Sequence, residues 1–197
     1  MESESSIIQP LQEYAKKTNR SFKHNHIPYD NSNYRMQNAA VDTVVIVEKN
    51  TSEPKFISFY NSKEYNYYSG FFLSIDLPKE TMVLLASKNV FHKLNPFHNH
   101  SNRVSGYRYF DSVGIISNNS NYKDAISLLS NAKLSKLIIK ALSIDPRIKV
   151  GVNYIIPENE FENKSVLGIF IQKAWFSNTI LIDKLFKVSE EIAEILK

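Results

Sequence analysis

Histidines occur in two closely spaced pairs along this chain. His24 and His26 form one pair, and His98 and His100 form the other. On an extended segment, residues two apart face the same way, so each pair can present two imidazoles to one metal ion. If the two pairs meet in the fold, they form a site with three or four nitrogen ligands. The spacing therefore predicts a candidate metal site.

A metal held by these histidines, with Asp30 or Asp111 as a further ligand, predicts a metal-dependent hydrolase. The opposing interpretation is that exposed loops rich in Asn contain histidines by composition alone. Both interpretations stay open at the level of the sequence. They differ in whether the two pairs converge on one point in the fold.

Aromatic side chains interleaved with cations form a second candidate site. Such side chains can stack bases, line an apolar ligand cavity or contact a protein partner. An ordinary sheet, with Phe on its inner face and half-buried Tyr at its rim, accounts for the same pattern. The candidate residues for ligand or partner binding are Tyr60, Tyr65, Tyr67, Tyr68, Tyr107, Arg108 and Tyr109.

Most familiar catalytic and cofactor-binding motifs are absent from the sequence. The five glycines are too scattered for a phosphate-binding loop, a dinucleotide fingerprint or a nucleophile elbow. The chain has no cysteine, which excludes disulfides, thiolate metal sites and cysteine nucleophiles. Alternating carboxylates at Glu158, Glu160 and Glu162 have no nearby histidine and indicate a solvated loop. We expect no cofactor and assign no catalytic residue.

Charge and hydropathy narrow the class of protein further. The formal net charge of +4 is spread along the 197 residues, whereas nucleic-acid-binding proteins concentrate basic residues on one stripe or tail. No apolar run approaches the ~18 residues that a bilayer-spanning helix needs. The first residues, MESESS, lack the basic and apolar regions of a signal peptide. We therefore expect a cytoplasmic protein that binds neither membrane nor nucleic acid.

Hydrophobic periodicity predicts an α+β fold. Strands come in blocks with short connections, which favours a mainly antiparallel sheet of about six to seven strands. Residues 19–38 are polar and predict extended pieces and loops. Helices are predicted over 7–18, 121–130, 132–143 and 178–196, and strands over 41–47, 55–60, 67–77, 81–86, 113–117, 148–156 and 166–171.

Three stretches are similar to one known family. Residues 109–117 (YFDSVGIIS), 124–130 (DAISLLS) and 72–78 (FLSIDLP) resemble a family of uncharacterised bacterial α+β domains. In many members the domain lies beside membrane-spanning helices, which this sequence lacks. The resemblance implies the same α+β fold, and it supplies no catalytic residues because none is established for the family.

These observations favour a single α+β domain over residues 1–197, with a flexible tail at 1–5 and a long loop at 92–106. The leading hypothesis is a non-catalytic cytoplasmic domain that binds a protein partner, as an adaptor or immunity protein does. One alternative is a domain that holds a small hydrophobic ligand in an aromatic-lined cavity. The other is the metal-dependent hydrolase that uses the paired histidines.

Overall fold

The structure is a computed structural model of the chain. It describes residues 4–27, 41–49, 51–61, 66–87, 113–117, 122–157, 160–172 and 177–196. The long connection predicted at 92–106 lies outside these ranges.

The predicted α+β class is confirmed, with helices at both ends of the described chain and a single large sheet. The helices are α1 (Glu4–Lys17), α2 (Tyr122–Leu129), α3 (Ala132–Ile144) and α4 (Thr179–Leu196). The strands are β1 (Ser21–Ile27), β2 (Val41–Val47), β3 (Lys55–Asn61), β4 (Asn66–Ile75), β5 (Val83–Ser87), β6 (Val113–Ser117), β7 (Lys149–Val152) and β8 (Ser165–Ile171). None of the described helices combines the length and apolar composition needed to cross a bilayer.

All pairings within the sheet are antiparallel. The eight strands follow the order β1-β2-β3-β4-β8-β7-β5-β6. Strands β1 to β4 form a meander in which each strand pairs with the next one in the chain. Strand β8 then joins β4, which attaches the second half of the chain to the first. Strand β1 is consequently an edge strand of the sheet that the described residues form, and it lies next to β2 over all seven of its residues.

The two faces of the sheet bury different side chains, because neighbouring residues on a strand point to opposite faces. One face packs against the helices and includes Val44, Ile46, Phe56 and Phe71. Phe186 of α4 meets Phe71 edge to face, with ring centroids 4.5 Å apart. The buried cluster on the other face consists of Val45, Ile57, Tyr68, Phe72, Leu84, Val166 and Phe170 from the strands, together with Phe161 from the segment before β8.

Two elements differ from the sequence-based prediction. Strand β1 forms within a polar segment for which extended pieces and loops were predicted, and its side chains remain mostly exposed because it lies at the edge. Strand β7 ends at Val152, whereas a strand was predicted to continue to residue 156. Asn153 ends it with a φ of 50°. The Asn153 side chain donates to the Thr81 carbonyl at 2.8 Å and accepts from the Val166 amide at 2.8 Å.

Gly70 lets β4 and β8 approach closely. A Cβ at this position would lie 2.4 Å from the carbonyl oxygen of Ile169 and 2.5 Å from the Cα of Phe170. Both are backbone atoms, so they cannot move aside as a flexible side chain can. We predict that Gly70→Ala lowers the free energy of unfolding by about 1–3 kcal/mol, measured by chemical denaturation.

The exposed Asn25→Ala substitution on β1 is the matched control, and its unfolding free energy should stay within about 0.5 kcal/mol of the parent. Equal stability of the Gly70→Ala protein and this control would show that β4 and β8 are not packed as described.

Candidate functional site

A cleft of about 760 Å³ lies between α1 and the first two strands. Helix α1 forms one wall, and side chains from β1 and β2 form the other. Seven of the eight lining residues that the structure describes have polar or charged side chains, which can form hydrogen bonds with a ligand. These eight residues are Ile8, Gln9, Gln12, Glu13, Lys16, His24, His26 and Asp42.

The alternation of side chains along β1 and β2 places both histidines and Asp42 on the same face of the sheet. His24 lies opposite Val44, and His26 lies opposite Asp42, in the antiparallel register of β1 and β2. Directly opposed residues share a face, and Val44 belongs to the helix-packed core. Both imidazoles and the Asp42 carboxylate therefore lie on the side of the sheet that α1 covers.

One oxygen of Asp42 contacts both histidines. Oδ1 lies 3.0 Å from Nε2 of His24 and 2.8 Å from Nδ1 of His26. The Asp42 residue is only 1% exposed, whereas the histidine side chains are 29% and 40% exposed. The carboxylate is thus a buried anchor for two partly exposed rings.

This geometry determines which ring nitrogens carry protons. An ionised carboxylate only accepts hydrogen bonds, so Nε2 of His24 and Nδ1 of His26 must donate. The other carboxylate oxygen, Oδ2, is buried and has no hydrogen-bond partner. A buried acceptor without a donor is rare in folded proteins, so Oδ2 is a polar atom that can still accept a hydrogen bond.

Two of the predicted tyrosines lie on the same face of the sheet as Asp42 and the two histidines. Tyr60 lies opposite Asp42 on β3, and Tyr67 lies opposite Tyr60 on β4. Together with His26 they form a row of polar side chains across four neighbouring strands. Tyr67 is 41% exposed at the end of this row. The row joins the histidine pair to part of the aromatic cluster, two features that the sequence presents separately.

Tyr68 lies on the opposite face of the sheet. It is 6% exposed, and its ring packs against Phe59 and Phe72 with centroid separations of 5.2 and 5.5 Å. Phe72 in turn stacks on Phe170. These rings fill a core by contacting one another, which is the ordinary packing of aromatic residues. The remaining predicted site residues, Tyr65, Tyr107, Arg108, Tyr109, His98 and His100, lie outside the described ranges.

The predicted metal site stays a prediction, because His98 and His100 lie outside the described residues. His24 and His26 do lie side by side, with ring centroids 6.4 Å apart. Their Asp42-facing nitrogens point at a carboxylate oxygen, and no group of three or more His, Asp or Glu side chains in the described ranges is arranged to hold a metal ion. Asp30 and Asp111, the predicted additional ligands, are outside those ranges as well.

Arg20 fixes the wall that α1 contributes to the cleft. Its guanidinium carbon lies 4.0 Å from the ring centroid of Phe186 on α4, and Nη1 donates to the Tyr14 hydroxyl at 3.3 Å. Nε has no hydrogen-bond partner, so its 3.2 Å approach to Glu48 is an ion pair. A second carboxylate, Glu190, lies 3.7 Å from Nη2. Arg20 thereby connects α1, the residue directly after β2, and α4.

Burial dominates the electrostatics of this contact. It raises the pKa of Tyr14 to about 12, although the Arg20 charge acts in the opposite direction. Burial also raises the pKa of Glu190, again against the effect of Arg20. The phenol of Tyr14 is therefore a neutral hydrogen-bonding group at physiological pH, and it donates to Asp183 at 3.4 Å.

Asp42 is the site residue that sequence reasoning missed. The segment 41–47 was interpreted only as a β-branched strand, although Asp42 has the same parity as Val44 and Ile46. A carboxylate on the core-facing side of a strand is rare unless it is paired. That parity is the signal that could have identified it.

Comparisons of the chain with protein-family models, with curated proteins and with solved structures found no match. The site therefore has to be interpreted from its own geometry.

We predict that Arg20→Met lowers the free energy of unfolding by about 1–3 kcal/mol, because Tyr14, Glu48 and Glu190 lose their shared cation. Chemical denaturation measures this change. Lys23→Met removes an exposed cation from β1 and is the matched control, for which little change is expected. If both variants lost the same stability, the Arg20 contacts would not be what holds α1 in place.

Proposed function

We propose that this domain is a binding domain whose ligand occupies the cleft between α1 and strands β1 and β2. The observation on which the proposal rests is the buried Asp42 carboxylate, which orients His24 and His26 at the wall of a polar cleft. A binding site needs a few polar groups held in fixed directions, and a buried second layer of hydrogen bonds provides that rigidity.

The lining favours a polar ligand. Ile8 is its single apolar member among the described residues. Of the aromatic side chains proposed for a hydrophobic cavity, Tyr68 packs instead against Phe59 and Phe72 on the opposite face of the sheet. The small hydrophobic ligand considered from the sequence has less support than a ligand that forms hydrogen bonds.

We further propose that the ligand is a group displayed by a protein partner. Tyr67 supports this, since it is exposed on the helix-packed side of the sheet two strands from Asp42, or about 10 Å away. Tyrosine is enriched in the surfaces through which proteins bind one another. An adaptor or immunity-like role in a bacterial cytoplasm, and the resemblance to uncharacterised bacterial domains, remain part of this proposal.

We predict that small polar fragments shift backbone amide resonances of the cleft lining in ¹H–¹⁵N NMR spectra. Gln12→Trp places an indole in the cleft from an exposed position on α1 and should abolish these shifts. Lys17→Trp adds the same indole to the same helix, where it faces the separate cleft between α1 and α4. Binding to this control should equal binding to the parent protein.

Shifts that spread over the surface, or that survive Gln12→Trp unchanged, would contradict binding in this cleft. Loss of the shifts in both tryptophan variants would mean that the substitutions perturb α1 rather than block the site.

A further inference from the structure

We infer that the group recognised in this cleft is a small organic cation with N–H donors, an ammonium or a guanidinium. The inference rests on the proposed function and names the chemistry of its ligand. It follows from the hydrogen-bonding groups that the lining still has available.

Asp42 supplies the first of these groups. Oδ1 already accepts from two imidazoles, whereas Oδ2 is buried and accepts from nothing. Leaving a buried charged acceptor without a donor is unfavourable by more than an ordinary hydrogen bond is worth. A ligand that brings an N–H group to this carboxylate removes that penalty, and a positive charge on the ligand strengthens the contact.

His24 supplies a second acceptor. Its Nε2 proton points to Asp42, so Nδ1 of the neutral ring has a lone pair. The ring lines the cleft and its side chain is 29% exposed, which leaves it accessible to a ligand. Two acceptors, one of them anionic, therefore belong to the same wall.

The opposite wall adds acceptors as well. The side-chain amide of Gln9 donates to Glu13 at 2.7 Å, and this bond fixes the amide nitrogen while the Gln9 carbonyl oxygen remains an acceptor. Asp42 and Glu13 give the described part of the lining two carboxylates, whereas Lys16 is its one lysine. The described lining is thus acidic, although the whole chain has a formal net charge of +4.

The same groups disfavour other ligands. An anion would approach two carboxylates, which repel it. A tetrahedral zinc ion keeps its ligand atoms about 3.3 Å apart, as bonds of about 2.0–2.1 Å require, whereas the Asp42 oxygen and the imidazole nitrogens lie 2.8 and 3.0 Å apart as hydrogen-bonded partners. Because Asp42 is almost completely covered, the group that reaches it must be small.

The experiment titrates the protein with four probes of similar size: n-butylammonium, methylguanidinium, n-butanol and butyrate. ¹H–¹⁵N NMR spectra follow the lining residues at constant ionic strength. We expect saturable shifts with the two cations and none with butyrate. Asp42→Asn should weaken binding of the cations by about tenfold or more, as loss of a charge-assisted hydrogen bond does.

Glu13→Gln keeps the inference testable if Asp42→Asn does not fold, because Glu13 is exposed on α1. We expect it to weaken cation binding too. Glu191→Gln removes a half-exposed carboxylate from α4, away from the cleft lining, and should leave binding unchanged. Thermal unfolding of each variant confirms that the comparison is between folded proteins.

Two peptides identify the source of the cation. Acetyl-Gly-Lys-Gly-amide presents a lysine side chain, and acetyl-Gly-norleucine-Gly-amide presents the same chain without its ammonium. Tighter binding of the lysine peptide than of n-butylammonium would indicate a protein partner, and weaker binding would indicate a free amine. Either result supports a cation site, whereas equal binding of the two peptides would overturn it.

The outcomes separate the inference from the proposed function. Cleft shifts with butyrate or n-butanol but not with the cations would overturn the inference and leave a binding cleft in place. Absence of cleft shifts with all four probes and both peptides would overturn both. Shifts with Zn²⁺ that a chelator reverses, in the absence of any effect of the organic cations, would replace the inference with a metal site.

Discussion

The buried carboxylate of Asp42 determines how the side chains between α1 and strands β1 and β2 are arranged. Asp42 is 1% exposed, and burying a charge is unfavourable unless hydrogen-bond donors reach it. The two donors come from alternate positions of the neighbouring edge strand, which aligns both imidazoles toward the same oxygen. This one interaction fixes the two rings in the wall of the cleft and determines their tautomers. Because both rings donate to Oδ1, Oδ2 has no partner.

The rest of the fold keeps that interaction in place. The meander positions β1 beside β2 with a continuous register, so the histidines cannot rotate to the other face without a shift of the strand by one residue. Helix α1 is anchored by Leu11 in the core and by Arg20, which joins it to Glu48, directly after β2, and to α4. The cleft is therefore bounded by two elements that the core fixes independently.

The sequence was sufficient for the α+β class and for most elements, because period-2 and period-3.6 patterns report directly which face is buried. On β3 the period of two places Phe56 and Ile57 on opposite faces of the sheet. On α4 the period of 3.6 places Ile182, Leu185 and Phe186 on the buried side of the helix. Strand β1 was harder to predict because its exposed edge position leaves no hydrophobic alternation. The site itself required the register of β1 against β2, a non-local pairing that a single sequence does not specify.

The ring tautomers of the two histidines test the account most directly, and long-range ¹H–¹⁵N NMR correlations measure them at a pH where both rings are neutral. We predict a proton on Nε2 of His24 and on Nδ1 of His26, with both preferences lost in Asp42→Asn. Rapid exchange between tautomers in the parent protein, or tautomers unchanged by Asp42→Asn, would contradict the claim that Asp42 organises this site.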